Sequence, residues 1–122
     1  MIESFKEFAF EAAHQLPPFS ALHGHTFKVT VFLKGEPDPE FGWSHNLYEV
    51  DEAVTVVKRQ LDHRYLNEIE GLSAPSLENV ARWIWDRLDQ SLEGLDRIAV
   101  RRGVDGDAEG CTYSGRLAGG AA

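Results

Sequence analysis

The chain reads as an α+β domain, a four-stranded antiparallel sheet with two helices packed on one face. Three observations predict it. Two early segments alternate apolar and polar residues at the period of a strand. Two middle segments repeat apolar residues at the period of a helix. Two short runs near the end then return to strand character.

Residues 8–14 form the first strand candidate. Phe8, Phe10, Ala12 and His14 share one face, and Ala9, Glu11 and Ala13 share the other. Pro17-Pro18 makes a turn. In residues 23–33, His23, His25, Phe27, Val29, Val31 and Leu33 point one way, while Thr26, Lys28, Thr30 and Phe32 point the other. The run GEPDP at residues 35–39 ends that strand, and a loop continues to about Asn46. Residues 50–61 carry Val50, Ala53, Val54, Val57 and Leu61 at helical spacing. After a loop containing DHRYLN, Ser76 is an N-cap with Glu78 in the first turn. Leu77, Val80, Ala81, Ile84, Leu88 and Leu92 then line a second helix. Residues 98–101 and 111–114 are short strands joined by the polar loop GVDGDAEG.

The 122 residues suit one domain, expected over residues 1–116, with the LAGGAA tail at 117–122 too poor in side chains to be ordered. A net charge of −8 with no basic run excludes a nucleic-acid partner, because phosphate binding needs clustered Lys and Arg. The single cysteine, Cys111, forbids an intrachain disulfide and reads as a small buried packing residue. The beginning of the chain lacks the apolar core of a signal peptide, and no segment has the length of a membrane span, so the expected compartment is the cytoplasm. A four-stranded sheet leaves two edges, and pairing them with neighbouring subunits would close a larger barrel.

His14, His23 and His25 carry the chemistry. One residue separates His23 from His25, so their imidazoles share a strand face with Cα atoms about 6.5–7 Å apart. Gly24 between them lets the backbone pass close to something on the other side. His14 ends the first strand in register with its apolar face, and strand pairing can make it a third ligand. Three histidines leave one position open, as catalytic zinc sites do. The spacing alone fits core histidines that merely satisfy hydrogen bonds equally well.

The segments FEAAHQL, LHGHTF, FGW, LDHRYLN and APSLENVARWIW, in this order, resemble the 6-pyruvoyltetrahydropterin synthase family, most of all its bacterial queuosine-pathway branch, the 6-carboxytetrahydropterin synthases. The resemblance spans roughly residues 5–113. It implies the tunnelling fold, in which subunits join their sheets into a barrel, usually as a hexamer built from two trimers. It implies zinc on His14, His23 and His25, and a pterin-like substrate made from dihydroneopterin triphosphate at a subunit interface. The activity implied is that of a zinc-dependent carbon–oxygen lyase. Asp62 and His63 match the family's catalytic Asp-His pair. Without the resemblance, Asp62 would be read as a turn cap and His63 as a surface residue.

Three features depart from the family pattern. The loop before LHGH reads PPFSAL and lacks the catalytic cysteine, while Phe19 and Ser20 offer no activated base. Arg102 stands where the family places a pterin-anchoring Glu, and a guanidinium only donates hydrogen bonds. Either Glu109 reaches in as a substitute from the longer loop that follows, or Arg102 is solvated or paired with Asp105 or Asp107. Asn46 replaces an acidic residue after the Gly-Trp segment, beside His45, a plain loop residue. The expectation is therefore a family homologue with impaired lyase chemistry. The alternative is a non-catalytic or metal-free binder of a pterin-like ligand on the same fold.

Overall fold

The computed structural model describes residues 1–103 and 107–115, with backbone only at residues 19 and 20. The expected tail at 117–122 and the proposed pairing with Asp105 lie outside the described residues. Strands β1 (Ile2–Leu16) and β2 (Phe19–Gly35) form one long antiparallel hairpin. Helix α1 (Leu47–Leu61), a two-residue strand β3 (Arg64–Tyr65) and helix α2 (Leu77–Leu88) follow, then β4 (Leu95–Arg102) and β5 (Glu109–Tyr113). The sheet runs β3-β1-β2-β4-β5, so it has five strands where four were expected. The addition is β3, parallel to β1 at Ala12 and Ala13 and too short for any periodicity to reveal it.

Both helices cover one face, α1 on β1 and α2 on β4 and β5. The alternation read from the sequence is the division between the two faces. Phe8, Phe10, Ala12 and His14 of β1 are buried with Phe27, Val29, Val31 and Leu33 of β2. Val50, Val54, Val57 and Leu61 of α1 descend onto them, and Val80, Ala81, Ile84 and Leu88 do the same from α2. Phe10 and Phe27, opposite each other in register, stack with ring centroids 5.0 Å apart.

The hairpin is longer than the periodicity indicated. Residues 2–7 are extended because they pair with residues 30–35 of β2, although Phe5 among them is 59% exposed and blurs the apolar signal. Helix α1 begins one turn before Val50, where the Asn46 side chain accepts from the Tyr48 amide at 3.0 Å. That cap needs an oxygen and no charge, which explains the tolerance of an amide here. Ser76 caps α2 as expected, accepting from the Asn79 amide at 3.1 Å. Leu92, expected on the helix stripe, is buried just beyond the helix end. His45 is more than a plain loop residue: its Nε2 donates to the Glu93 carbonyl at 2.7 Å and ties the loop to the approach to β4. Gly94 beside it has φ +73°, and a Cβ there would sit 2.3 Å from the Lys34 carbonyl oxygen, so only glycine fits. Among the described residues, no helix is long and apolar enough to cross a membrane.

Candidate metal centre

The β1–β2 register places His14 directly opposite His23, and His25 opposite Ala12. Strand alternation turns all three imidazoles to the helix-covered face, at the end of the row that Phe10 and Phe27 begin. Ring centroids lie 4.6 Å apart for His14 and His23, 5.0 Å for His14 and His25, and 4.8 Å for His23 and His25. One nitrogen from each ring falls within 4.8 Å of the other two, so the three can hold a single metal ion.

Two backbone carbonyls orient the cluster. His14 Nδ1 is 3.1 Å from the Pro75 carbonyl oxygen, and His23 Nδ1 is 3.1 Å from that of Ala21. A carbonyl can only accept, so each Nδ1 carries a proton, and in a neutral ring Nε2 then presents a lone pair. Those two Nε2 atoms face each other at 3.0 Å. Two acceptors at that distance repel unless a cation lies between or beside them. His25 Nε2 is buried and has no hydrogen-bond partner among the described residues. An imidazole that donates its far N–H to a backbone carbonyl and aims its other nitrogen inward has the arrangement of a metal ligand. Burial, then the nearby His23 and Arg102, hold His14 below the ordinary imidazole value, against the pull of the Pro75 carbonyl. Burial, then His14 and Arg102, do the same for His25. Both rings are therefore neutral near pH 7, the form that binds a metal.

The cluster lies in the wall of a cleft of about 540 Å³, together with Pro17, Pro18, Arg102 and Glu109. That volume accommodates a small organic ligand. Arg102 and Glu109 are cross-strand partners. Arg102 Nε and Nη2 both donate to Glu109 Oε1, at 3.0 and 2.8 Å. Arg102 is thus paired with Glu109, not with Asp107, and the two residues expected to contact ligand are joined to each other.

Asp62 and His63 stand elsewhere. Asp62 closes α1, and its Oδ1 accepts from the Glu11 amide at 2.9 Å. That backbone bond, then the His63 side chain, hold its carboxyl below the usual carboxylate range. His63, at φ 59°, donates its own N–H to the Glu11 carbonyl at 2.6 Å and sets its Nδ1 3.0 Å from Asp62 Oδ2. Its side chain is 79% exposed. It borders a second cleft, of about 580 Å³, whose other walls include Glu11, Gly24, His25, Thr26 and Tyr65, so His25 is common to both clefts. Glu11 and Thr26 alternate to the face away from the helices, so within one chain the Asp-His pair does not join the wall of the histidine cleft. A Cβ added at Gly24 would meet the Ala12 carbonyl oxygen at 3.4 Å. The side chain that Gly24 lacks on this face leaves room in the second cleft, as the sequence position between His23 and His25 implies. Cys111 is half-buried against the core, not fully buried, and does not line the histidine cleft. Burial, reinforced by Glu78, pushes its thiol up, away from the thiolate. The groups that sequence reasoning missed are the Pro75 and Ala21 carbonyls, which as backbone atoms leave no side-chain signature.

Comparison with known proteins agrees with this geometry. The profile of the family described as 6-pyruvoyl tetrahydropterin synthase matches residues 3–115. A 6-carboxy-5,6,7,8-tetrahydropterin synthase of Synechocystis sp. is 36% identical over 123 aligned positions, covering 92% of this chain and 89% of its own. A dihydroneopterin monophosphate aldolase of Pyrococcus furiosus is 35% identical, covering 78% of this chain and 84% of its own. The structure of the Caenorhabditis elegans 6-pyruvoyl tetrahydropterin synthase superposes with a TM-score of 0.81 at 23% identity, over 94% of this chain and 96% of that one, and so shares the tunnelling fold. With the profile spanning nearly the whole chain and the three histidines converging inside it, this protein belongs to the 6-pyruvoyl tetrahydropterin synthase family.

Proposed function

We propose that this chain binds a pterin-like ligand in the cleft beside His14, His23 and His25, that these histidines hold zinc, and that the Arg102–Glu109 pair forms the substrate-binding wall of that cleft. The convergence of three inward-facing nitrogens within 4.8 Å carries the reading. The donor set fits zinc. The 3.0 Å between His14 Nε2 and His23 Nε2 is close to the roughly 3.3 Å that separates two nitrogens bound to one tetrahedral zinc. Zinc there would supply Lewis acidity to a side-chain hydroxyl of the ligand. The chain's own residues do the rest: the Pro75 and Ala21 carbonyls fix two imidazoles, and Pro17 and Pro18 wall the cleft.

Proton transfer falls to Asp62 and His63. Their place on the other face of the sheet supports a role at a cluster on a neighbouring subunit. Open sheet edges support such an assembly, because β3 covers β1 only at Ala12 and Ala13, and β5 pairs only with β4 among the described strands. Light scattering at micromolar concentration is expected to give the mass of a hexamer, and a clean 13.7 kDa monomer would refute this assembly.

A specific observation favours a second reading, changed chemistry on the same scaffold. The Pyrococcus relative carries the name of an aldolase, and the segment PPFSAL has no cysteine. Incubation of zinc-equilibrated protein with dihydroneopterin triphosphate, and separately with its monophosphate, tests both readings through the products. Elimination of the phosphate chain supports the first, and retro-aldol cleavage of the first carbon–carbon bond of the side chain, which leaves a 6-hydroxymethyl group and releases a phosphorylated two-carbon aldehyde, supports the second. No product and no pterin binding in calorimetry would overturn the pterin reading.

A further inference from the structure

We propose that Arg102 is a specificity-determining residue that reads an anionic substituent of the ligand, a carboxylate or a phosphate, and that Glu109 is the internal counter-ion this substituent displaces. The proposal rests on the pterin reading for the ligand's scaffold but not for its charge. Its basis is the charge inventory of the histidine cleft. Among the described residues lining it, Arg102 and Glu109 are the only ones with a permanently charged side chain. Among the described lining residues Arg102 is the one guanidinium, set beside imidazoles whose nitrogens converge on one point, and a divalent ion held there would add two positive charges against a single carboxylate.

The two partners are unequally held. Arg102 lies on β4 opposite Phe27, with its side chain 25% exposed. His25 is its diagonal neighbour on β2, about 7–8 Å away at the Cα atoms and within reach of a long side chain. Glu109 begins β5 and its side chain is 64% exposed. An exposed carboxylate in such a pair contributes little to stability, so its exchange for a ligand's carboxylate or phosphate is nearly free. Moreover, both Arg102 bonds converge on a single oxygen, Oε1. A planar guanidinium pairs best through two parallel bonds to two oxygens. Glu109 does not achieve that fork, and a ligand anion entering from the cleft can.

The test is calorimetry on zinc-equilibrated protein with 6-carboxypterin, neopterin monophosphate, neutral 6-hydroxymethylpterin, and inorganic phosphate alone. The acidic pterins are expected to bind about ten- to hundredfold more tightly than the neutral one. In Arg102→Gln that preference collapses toward unity, and in Arg102→Lys part of it returns. In Glu109→Gln affinity for the acidic pterins rises, because the competing carboxylate is gone. The tighter of the two acidic pterins identifies which anion the site suits. An unchanged preference in Arg102→Gln would overturn the proposal and assign it to the metal. Equal weakening of acidic and neutral pterins in Glu109→Gln would also overturn it, since Glu109 would then be the ring anchor. Should no pterin bind, the pterin reading fails alone and inorganic phosphate decides. Binding that Arg102→Gln abolishes supports the anion site, and phosphate binding that is absent or unaffected by that change refutes it.

Discussion

Replacement of His25 by alanine is expected to leave a folded protein that no longer retains zinc at one ion per subunit. Two histidines would remain, and an affinity loss beyond about 100-fold is expected, since removing even an outer partner of a ligand costs 10–100-fold. His25 is the informative choice of the three. His14 and His23 each hold a backbone carbonyl, so their loss also strands an acceptor. His25 Nε2 has no partner to lose among the described residues. Truncation there removes an unsatisfied buried atom, and that gain offsets part of the packing lost. Stability supplies a second readout. Zinc at 100 times its dissociation constant stabilises a folded protein by about 2.7 kcal/mol. The wild type should therefore melt higher when zinc is added, and His25→Ala should not respond. Stoichiometric metal in His25→Ala, or none in wild-type protein equilibrated with zinc, would return the histidines to a packing role.

Much of this site was legible in the sequence because strand alternation is rigid. Once residues 8–14 and 23–33 are strands, His14, His23 and His25 must share faces with Phe10 and Phe27, and pairing does the rest. Ser76 was legible for a similar reason, since a cap acts within one turn. What stayed hidden depends on atoms far apart in the chain. Pro75 meets His14 across 61 positions, through a carbonyl that every residue possesses. Residues 2–7 are strand because β2 pairs with them, while their own pattern, with Phe5 exposed, is weak. Arg102 finds Glu109 because the β4–β5 register sets them opposite each other, and the length of the intervening segment does not reveal a register. The adjacency of Asp62 and His63 was plain. Their placement on the far face follows from two backbone bonds to Glu11, which no local pattern encodes.

The second large effect concerns turnover. Zinc-equilibrated protein is expected to convert dihydroneopterin triphosphate about 10²–10⁴-fold more slowly than a family member with its cysteine base, the usual contribution of a positioned general base. The segment before LHGH contains no thiol to ionise. Cys111 cannot substitute, because it lies outside the histidine cleft and burial raises its thiol further from ionisation. A serine at position 20 would need an activating partner to lower a hydroxyl that otherwise ionises far above neutral pH. His63 is the one retained candidate base, oriented by Asp62 at 3.0 Å, yet it is exposed and on the other face of its own sheet. Side-by-side single-turnover assays with an authentic family member check the expectation. Comparable rates would overturn it, and His63→Ala would then show whether a neighbouring subunit's histidine had taken over the base. A slow rate that His63→Ala leaves unchanged would mean that no base operates and that the residual activity belongs to the metal cleft alone.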